Sequence, residues 1–225
     1  MSILVIVAHS DDETIGMGAT IAKHVSEGEQ VFGIYLTNGT GSRNQKESEN
    51  KKAALQRSKA ADLAAEKIGL EWVGKFNFPD NALDSVPLID IVQAIEGIKD
   101  QINPSLVYTH HFGDLNIDHK IAFQATMTSF RPQPEEICKE IRTFEVPSAT
   151  DFGAFSANGV FSPNMFINID LYWEVKKSAL EFYGEEIRKS PHSRSMEGID
   201  ALSKYRGVSV GCSRAEAFNV IRKIC

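Results

Sequence analysis

Between Ile3 and Phe130 the sequence alternates four times between a short run of β-branched and aliphatic residues and a longer stretch with helical spacing. No other feature restricts the fold so strongly. The first run, Ile3 to Val7 (I-L-V-I-V), has no polar position, as expected of a strand buried on both faces of a parallel sheet. A helical pattern follows over Thr14 to Gly28, with Ile15, Ile21, Ala22 and Val25 on one side and Gly28 as its stop. Gln30 to Thr37 reads as a second strand, Asn38 to Asn44 as a polar loop, and Lys46 to Ile68 as a long helix stopping at Gly69. Glu71 to Phe78 is a weaker third strand, ended by Pro79-Asp80-Asn81, and Pro87 to Ile102 a third helix. Leu106 to Thr109 then reads as a fourth strand and Asp118 to Phe130 as a fourth helix. Such alternation predicts an α/β fold: a Rossmann-like, mostly parallel sheet with helices on both faces and strand order 3-2-1-4-5.

Beyond Phe130 the pattern loosens. Ile141 to Val146 and Phe166 to Ile169 read as strands, joined by the loop Pro147 to Pro163. Leu171 to Glu186, Ser195 to Tyr205 and Arg214 to Ile224 read as helices. With 225 residues, no internal repeat and no linker-like run, residues 1–225 are expected to form one domain. Its α/β core would occupy 1–130 and a C-terminal elaboration 131–225.

Composition removes several classes of function. The longest apolar run, Ile3 to Ala8, is too short to span a bilayer, and the N-terminus lacks the basic region of a signal peptide. A net charge of −6 argues against a binder of nucleic-acid backbones. Cys138, Cys212 and Cys225 show no CxxC spacing, which argues against a disulfide framework and against a thiolate metal site. The expected compartment is the cytoplasm.

The polar residues gather where strands end. Directly after strand one comes Ala8-His9-Ser10-Asp11-Asp12-Glu13, in the place where a dinucleotide-binding fold would carry a glycine-rich phosphate loop. Three carboxylates there would repel phosphates unless a cation were bound. After strand four comes His110-His111-Phe112-Gly113-Asp114-Leu115-Asn116-Ile117-Asp118-His119. Strands one and four are neighbours at the switch point of the predicted sheet, so topology brings His9, Asp11 and Asp12 towards Asp118 and His119. Two imidazoles and a carboxylate suffice for a catalytic zinc with one open position, and a further carboxylate can take a proton from water. Each of Asp11, Asp12 and Glu13 taken singly reads better as a cap of the next helix, and His24 reads as a surface or packing residue. The co-location of His-x-Asp-Asp with Asp-His favours a metal site.

These two elements resemble the hallmarks of the PIG-L/LmbE-like family of zinc-dependent N-acetylglucosaminyl deacetylases. The first, A-H-P-D-D-E in that family, stands here as A-H-S-D-D-E and is followed by T-I-G-M-G; the second, His-x-Asp/Asn-His, stands as Asn116-Ile117-Asp118-His119. The resemblance implies zinc held by His9, Asp12 and His119, with Asp11 as the general base that activates water. It further implies Asp118 as a carboxylate orienting Asp11 or a ligand histidine, Arg57 near the polar groups of the substrate, and oligomers. The implied substrate is a small N-acetylated amino sugar or its conjugate.

Two positions depart from the family pattern. Ser10 replaces proline, and Asn116 stands where many members carry a histidine that stabilises an oxyanion or supplies a proton. Asparagine donates a hydrogen bond but transfers no proton at neutral pH. Either Asp11 handles both proton transfers or another histidine substitutes, His192 first, then His110 and His111. Substrate choice is expected from Pro147 to Pro163 and Ser190 to Arg206. Arg194 and Arg206 suit an anionic substituent or a salt bridge, while Phe152, Phe155, Phe161, Tyr172, Trp173, Tyr183 and Tyr205 suit sugar stacking or the core. Two rival functions remain: a metal-dependent hydratase or lyase on the same fold, and a non-enzymatic sugar- or nucleotide-binding module whose acids only cap helices.

Overall fold

The computed structural model describes residues 1–39, 47–153, 159–184 and 186–225. Lys46, Phe155 and most of the loop Asn38 to Asn44 lie outside them. The core is a seven-stranded sheet, β1 (Ser2–His9), β2 (Gln30–Thr37), β3 (Glu71–Phe78), β4 (Leu106–His110), β5 (Glu140–Phe144), β6 (Met165–Asn168) and β7 (Ala215–Lys223), in the order β3-β2-β1-β4-β5-β7-β6. The expected order 3-2-1-4-5 is present, and these five strands pair in parallel.

The helices are α1 (Asp12–Ser26), α2 (Glu47–Ile68), α3 (Leu88–Ile102), α4 (Ile117–Ser129), α5 (Trp173–Glu181) and α6 (Met196–Val208). Strand β1 shows why they cover both faces. Ile3, Val5 and Val7 enter one apolar cluster, which includes Ile15, Ala61, Leu180 and Tyr183; Leu4, Ile6 and Ala8 enter the other, with Ile91, Val92, Ala122 and Ala125. Period-two alternation along a strand without polar positions demands an apolar layer on each side. The first cluster also takes Phe144, Val146, Trp173 and Phe218, so residues beyond 130 share the core of the first half.

One expected element has the wrong type. Arg214 to Ile224 is not a helix: Ala215–Lys223 is strand β7, antiparallel to β5 on one side and to β6 on the other. Ala, Glu, Arg and Lys favour a helix locally, but pairing on both edges outweighs a propensity difference of tenths of a kcal/mol per residue. The helix expected over Leu171 to Glu186 is shorter, with α5 ending at Glu181.

Two features position the site. The β1–β4 ladder stops at Val5↔Tyr108, whereas β1 stays paired to β2 as far as His9↔Thr37 and β4 to β5 as far as His110↔Phe144. The sheet therefore opens between β1 and β4 at their carboxyl ends, where ligands bind in such folds. Helix α1 is also broken at Met17 (φ −147°). The carboxylate of Glu216 accepts the N–H groups of Ala19 and Thr20 just beyond the break, at 3.2 and 2.7 Å, and Nζ of Lys176 donates to it at 2.6 Å.

Candidate active site

The last residue of β1 and the first turn of α1 place His9, Asp11 and Asp12 at the opening, all buried. Helix α4 places Asp118 and His119 opposite them, also buried. Oδ2 of Asp12 lies 3.2 Å from Nδ1 of His9 and 3.3 Å from Nε2 of His119, and it accepts the His9 N–H at 3.0 Å. The far ring nitrogen of each histidine is handed to carboxylates. His9 Nε2 is 3.2 Å from both Asp118 and Asp80, and His119 Nδ1 is 2.7 Å from Asp114. That is the arrangement in which carboxylates set the tautomer and ring orientation of a metal-ligating histidine.

Asp12 Oδ1 and His119 Nε2 are buried without a hydrogen-bond partner. Unmatched polar atoms cost free energy unless something else satisfies them. His9, Asp12 and His119 present donor atoms within 4.8 Å of one another, and the neutral-imidazole and carboxylate chemistry suits a divalent cation. The local field agrees. Burial pushes the His9 imidazole down, but Asp118, Asp12 and Asp80 outweigh it and hold the ring well above its ordinary 6.5. Burial likewise opposes charge on His119, yet Asp12 and Asp114 raise it to about 9. The cluster favours positive charge.

Asp11 stands beside this trio and faces two guanidinium groups. Nη2 of Arg57 lies 2.9 Å from Oδ1 in an ion pair without hydrogen-bond alignment, and Nη1 of Arg194 lies 3.5 Å from Oδ2. Arg57 is fixed on three sides, since Nε donates to the Ser10 carbonyl at 3.2 Å and Nη1 pairs with Glu186 at 2.6 Å. Asp118 touches His9, not Asp11, and is itself held by the N–H groups of Asn81 and Leu83 at 2.7 and 3.0 Å.

The remaining expected residues fall into place less centrally. Asn116 caps α4, its Oδ1 accepting the Asp118 N–H at 2.8 Å. His192 is half-buried, accepts the Arg194 N–H on Nδ1 at 3.0 Å and sets its ring edge-on to Phe152; among the described residues no hydrogen bond joins it to the Asp11–His119 cluster. Arg206 forms a two-pronged pair with Glu145, both contacts at 2.7 Å. Trp173 and Tyr183 belong to the core, whereas Phe152 and Tyr205 are exposed. Asp80, Asp114 and Glu186 were missed as site residues. Asp80 follows strand three at the same sheet edge, a signal that topology alone could have supplied. Glu186 had none, because it arrives from beyond the regular alternation.

An open α/β sheet whose switch point carries a buried histidine–carboxylate cluster and one spare carboxylate defines a class: Rossmann-like proteins with a candidate metal centre. A profile of the PIG-L family, described as GlcNAc-PI de-N-acetylase, matches residues 4–130, and the chain belongs to that family. It is 28% identical over 185 residues to an uncharacterized deacetylase, YaiS of Escherichia coli (strain K12), covering 80% of this chain and 88% of YaiS. It is 25% identical over 230 residues to the diacetylchitobiose deacetylase of Thermococcus kodakarensis, covering 97% of this chain and 82% of that protein. The fold is shared with GalB, the 4-carboxy-2-hydroxymuconate hydratase of Pseudomonas putida KT2440, at a TM-score of 0.79 and 21% identity over 100% of this chain and 97% of GalB. No described helix is long and apolar enough to cross a membrane.

Proposed function

We propose that this chain is a zinc-dependent amidohydrolase that removes the N-acetyl group from an N-acetylated amino sugar or its conjugate. The observation that carries this reading is the trio His9, Asp12 and His119, with two orphaned ligand atoms, standing beside a carboxylate that is not needed as a ligand. Family membership and the deacetylase relatives support it. When bound, zinc supplies Lewis acidity, polarising an amide carbonyl and acidifying water.

The protein's own groups then have distinct tasks. His9, Asp12 and His119 would hold the ion, while Asp118, Asp80 and Asp114 orient the two rings. Asp11 takes a proton from the attacking water and returns it to the leaving nitrogen, so that amide and water become amine and acetate. Arg57, engaged by Ser10, Asp11 and Glu186, holds Asp11 in place, and Arg194 is assigned the substrate contact. Asn116 serves as a helix cap. His192 accepts on Nδ1, so its proton sits on Nε2, which is available to a substrate oxygen or to the leaving amine. The single domain over 1–225, a cytoplasmic location and an oligomeric state complete the proposal.

GalB shows that this fold also supports hydration of an alkene. That chemistry would call for arginines free to bind carboxylates, and Arg57 is already occupied. Purified protein is expected to carry about one equivalent of zinc and to release acetate from a panel of N-acetylated sugars, nucleotide sugars and glycosides. Hydration of conjugated enoic acids without any acetate release would replace the deacetylase with the hydratase. A protein that binds neither zinc nor these substrates would leave the acids as helix caps.

A further inference from the structure

Where β1 and β4 splay, the N–H of Ala8 is buried in the gap beyond the last ladder pair. A buried N–H needs an acceptor, and here the acceptor is Nε2 of the His110 side chain at 2.8 Å. The same ring lies on the imidazole of His119, with centroids 3.8 Å apart and planes 21° from parallel, and its Nε2 is 3.5 Å from Oδ2 of Asp12. Phe144 closes the pocket nearby at 5.3 Å. One fully buried side chain therefore touches the backbone that carries His9, the ring of His119 and the carboxylate of Asp12. It is unsuited to being a ligand itself: accepting from Ala8 occupies Nε2 and puts the ring proton on Nδ1.

The geometry points to His110 as a positioning residue of the metal cluster, setting the spacing of His9 and Asp12 from His119 by accepting the Ala8 N–H across the open ladder. Beyond Val5↔Tyr108 the β1–β4 ladder gives no further support on this side, although β1 stays paired to β2 as far as His9 and the His9 ring reaches Asp118. The next N–H, of His9, goes to Asp12 itself, and the N–H of Asp11 returns to the His9 carbonyl, so a shift at Ala8 carries His9 and Asp12 with it. This inference rests on the metal site proposed above.

The test is a zinc titration of metal-free protein, with cobalt substitution as a spectroscopic readout, on the wild type, His110→Phe and His110→Gln. Phenylalanine keeps a flat ring on His119 and removes the acceptor; glutamine restores an acceptor and removes the ring. His110→Phe is expected to bind zinc about 10–100-fold more weakly, to change the cobalt d–d bands and to speed hydrogen exchange at the Ala8 amide. His110→Gln should stay close to the wild type in all three. Wild-type affinity and an unchanged cobalt spectrum in His110→Phe would overturn the inference alone. So would a folded His110→Gln protein that binds as weakly as the phenylalanine variant, and this arm decides the matter if His110→Phe fails to fold. A wild type that binds no zinc would sink the metal reading and this inference together.

Discussion

The first 130 residues and the remaining 95 or so contribute to one sheet by opposite rules. In the first part the strands run parallel, β1 and β4 are buried along almost their whole length, and charged groups concentrate at the carboxyl edge. In the second, β7 is inserted antiparallel between β5 and β6, and the connections are long. Residues 4–130 are also what the family profile matches. Among the described residues, every candidate metal ligand comes from the first part, whereas Glu186 and Arg194, which reach Arg57 and Asp11, and His192, which accepts the Arg194 N–H, come from the second. A parallel sheet supplies rigid strand ends at a fixed spacing, which suits a metal; loops packed over that edge vary at little cost to the core, which suits substrate choice.

The division predicts where substitutions act. His119→Ala is expected to abolish zinc binding and, with it, detectable turnover; metal analysis after dialysis and acetate release check both. Asp11→Asn should keep the zinc and lower kcat by about 10²–10⁴-fold. An active Asp11→Asn enzyme would remove the general base from the first part and return attention to His192.

Lys176→Ala tests whether the second part is merely an accessory. The Lys176–Glu216 pair is buried, and Glu216 also holds the second segment of α1 beyond its break. Removing the lysine leaves a buried carboxylate uncompensated, at a cost of about 3–5 kcal/mol, to be read from urea denaturation. A stability close to wild type would mean that α1 is set by the first part alone. Arg194→Ala probes the other side of the division. Its contact to Asp11 is long, its side chain is partly exposed, and the substitution should raise KM by about tenfold, the worth of one charge-assisted hydrogen bond. A fall in kcat at constant KM would instead assign Arg194 to the machinery that holds Asp11.

The same contrast explains what could be read without coordinates. Period and strand chemistry made β1, β2, β4 and their order legible, because a parallel α/β unit has few arrangements. The clustering of His9, Asp11, Asp12, Asp118 and His119 was legible too, since they follow strands whose ends topology brings together; the roles within the cluster came only from the family resemblance. Strand β7 escaped because its residues prefer a helix in isolation and only its two neighbours make it a strand. Glu186 and Asp114 escaped for a related reason. A carboxylate that orients a ring or a guanidinium is chosen by three-dimensional proximity, and no local spacing marks it. Arg57 was found, but its role was not. Its three partners, two of them from the A-H-S-D-D-E loop, support the proposal that it holds Asp11.

The smallest expected effect lies on the seam between the two parts. Arg142 of β5 donates to the Tyr108 hydroxyl at 2.5 Å, that hydroxyl lies 2.9 Å from His24 Nε2, and His24 Nδ1 is hydrogen-bonded to Glu29. This hydrogen-bond chain suits a neutral His24. Burial pushes it below its ordinary 6.5, and the Arg142 charge adds to that against the opposing pull of Glu29. Below about 6.5 the unfolded chain therefore takes up a proton that the folded chain resists, so stability is complete above that pH and declines as the solution is made more acidic. Urea midpoints of the wild type should fall between pH 7 and pH 5 more steeply than those of His24→Gln, which carries no titrating group there. Parallel slopes would place the acid sensitivity elsewhere and reduce the seam from a proton-linked contact to ordinary packing.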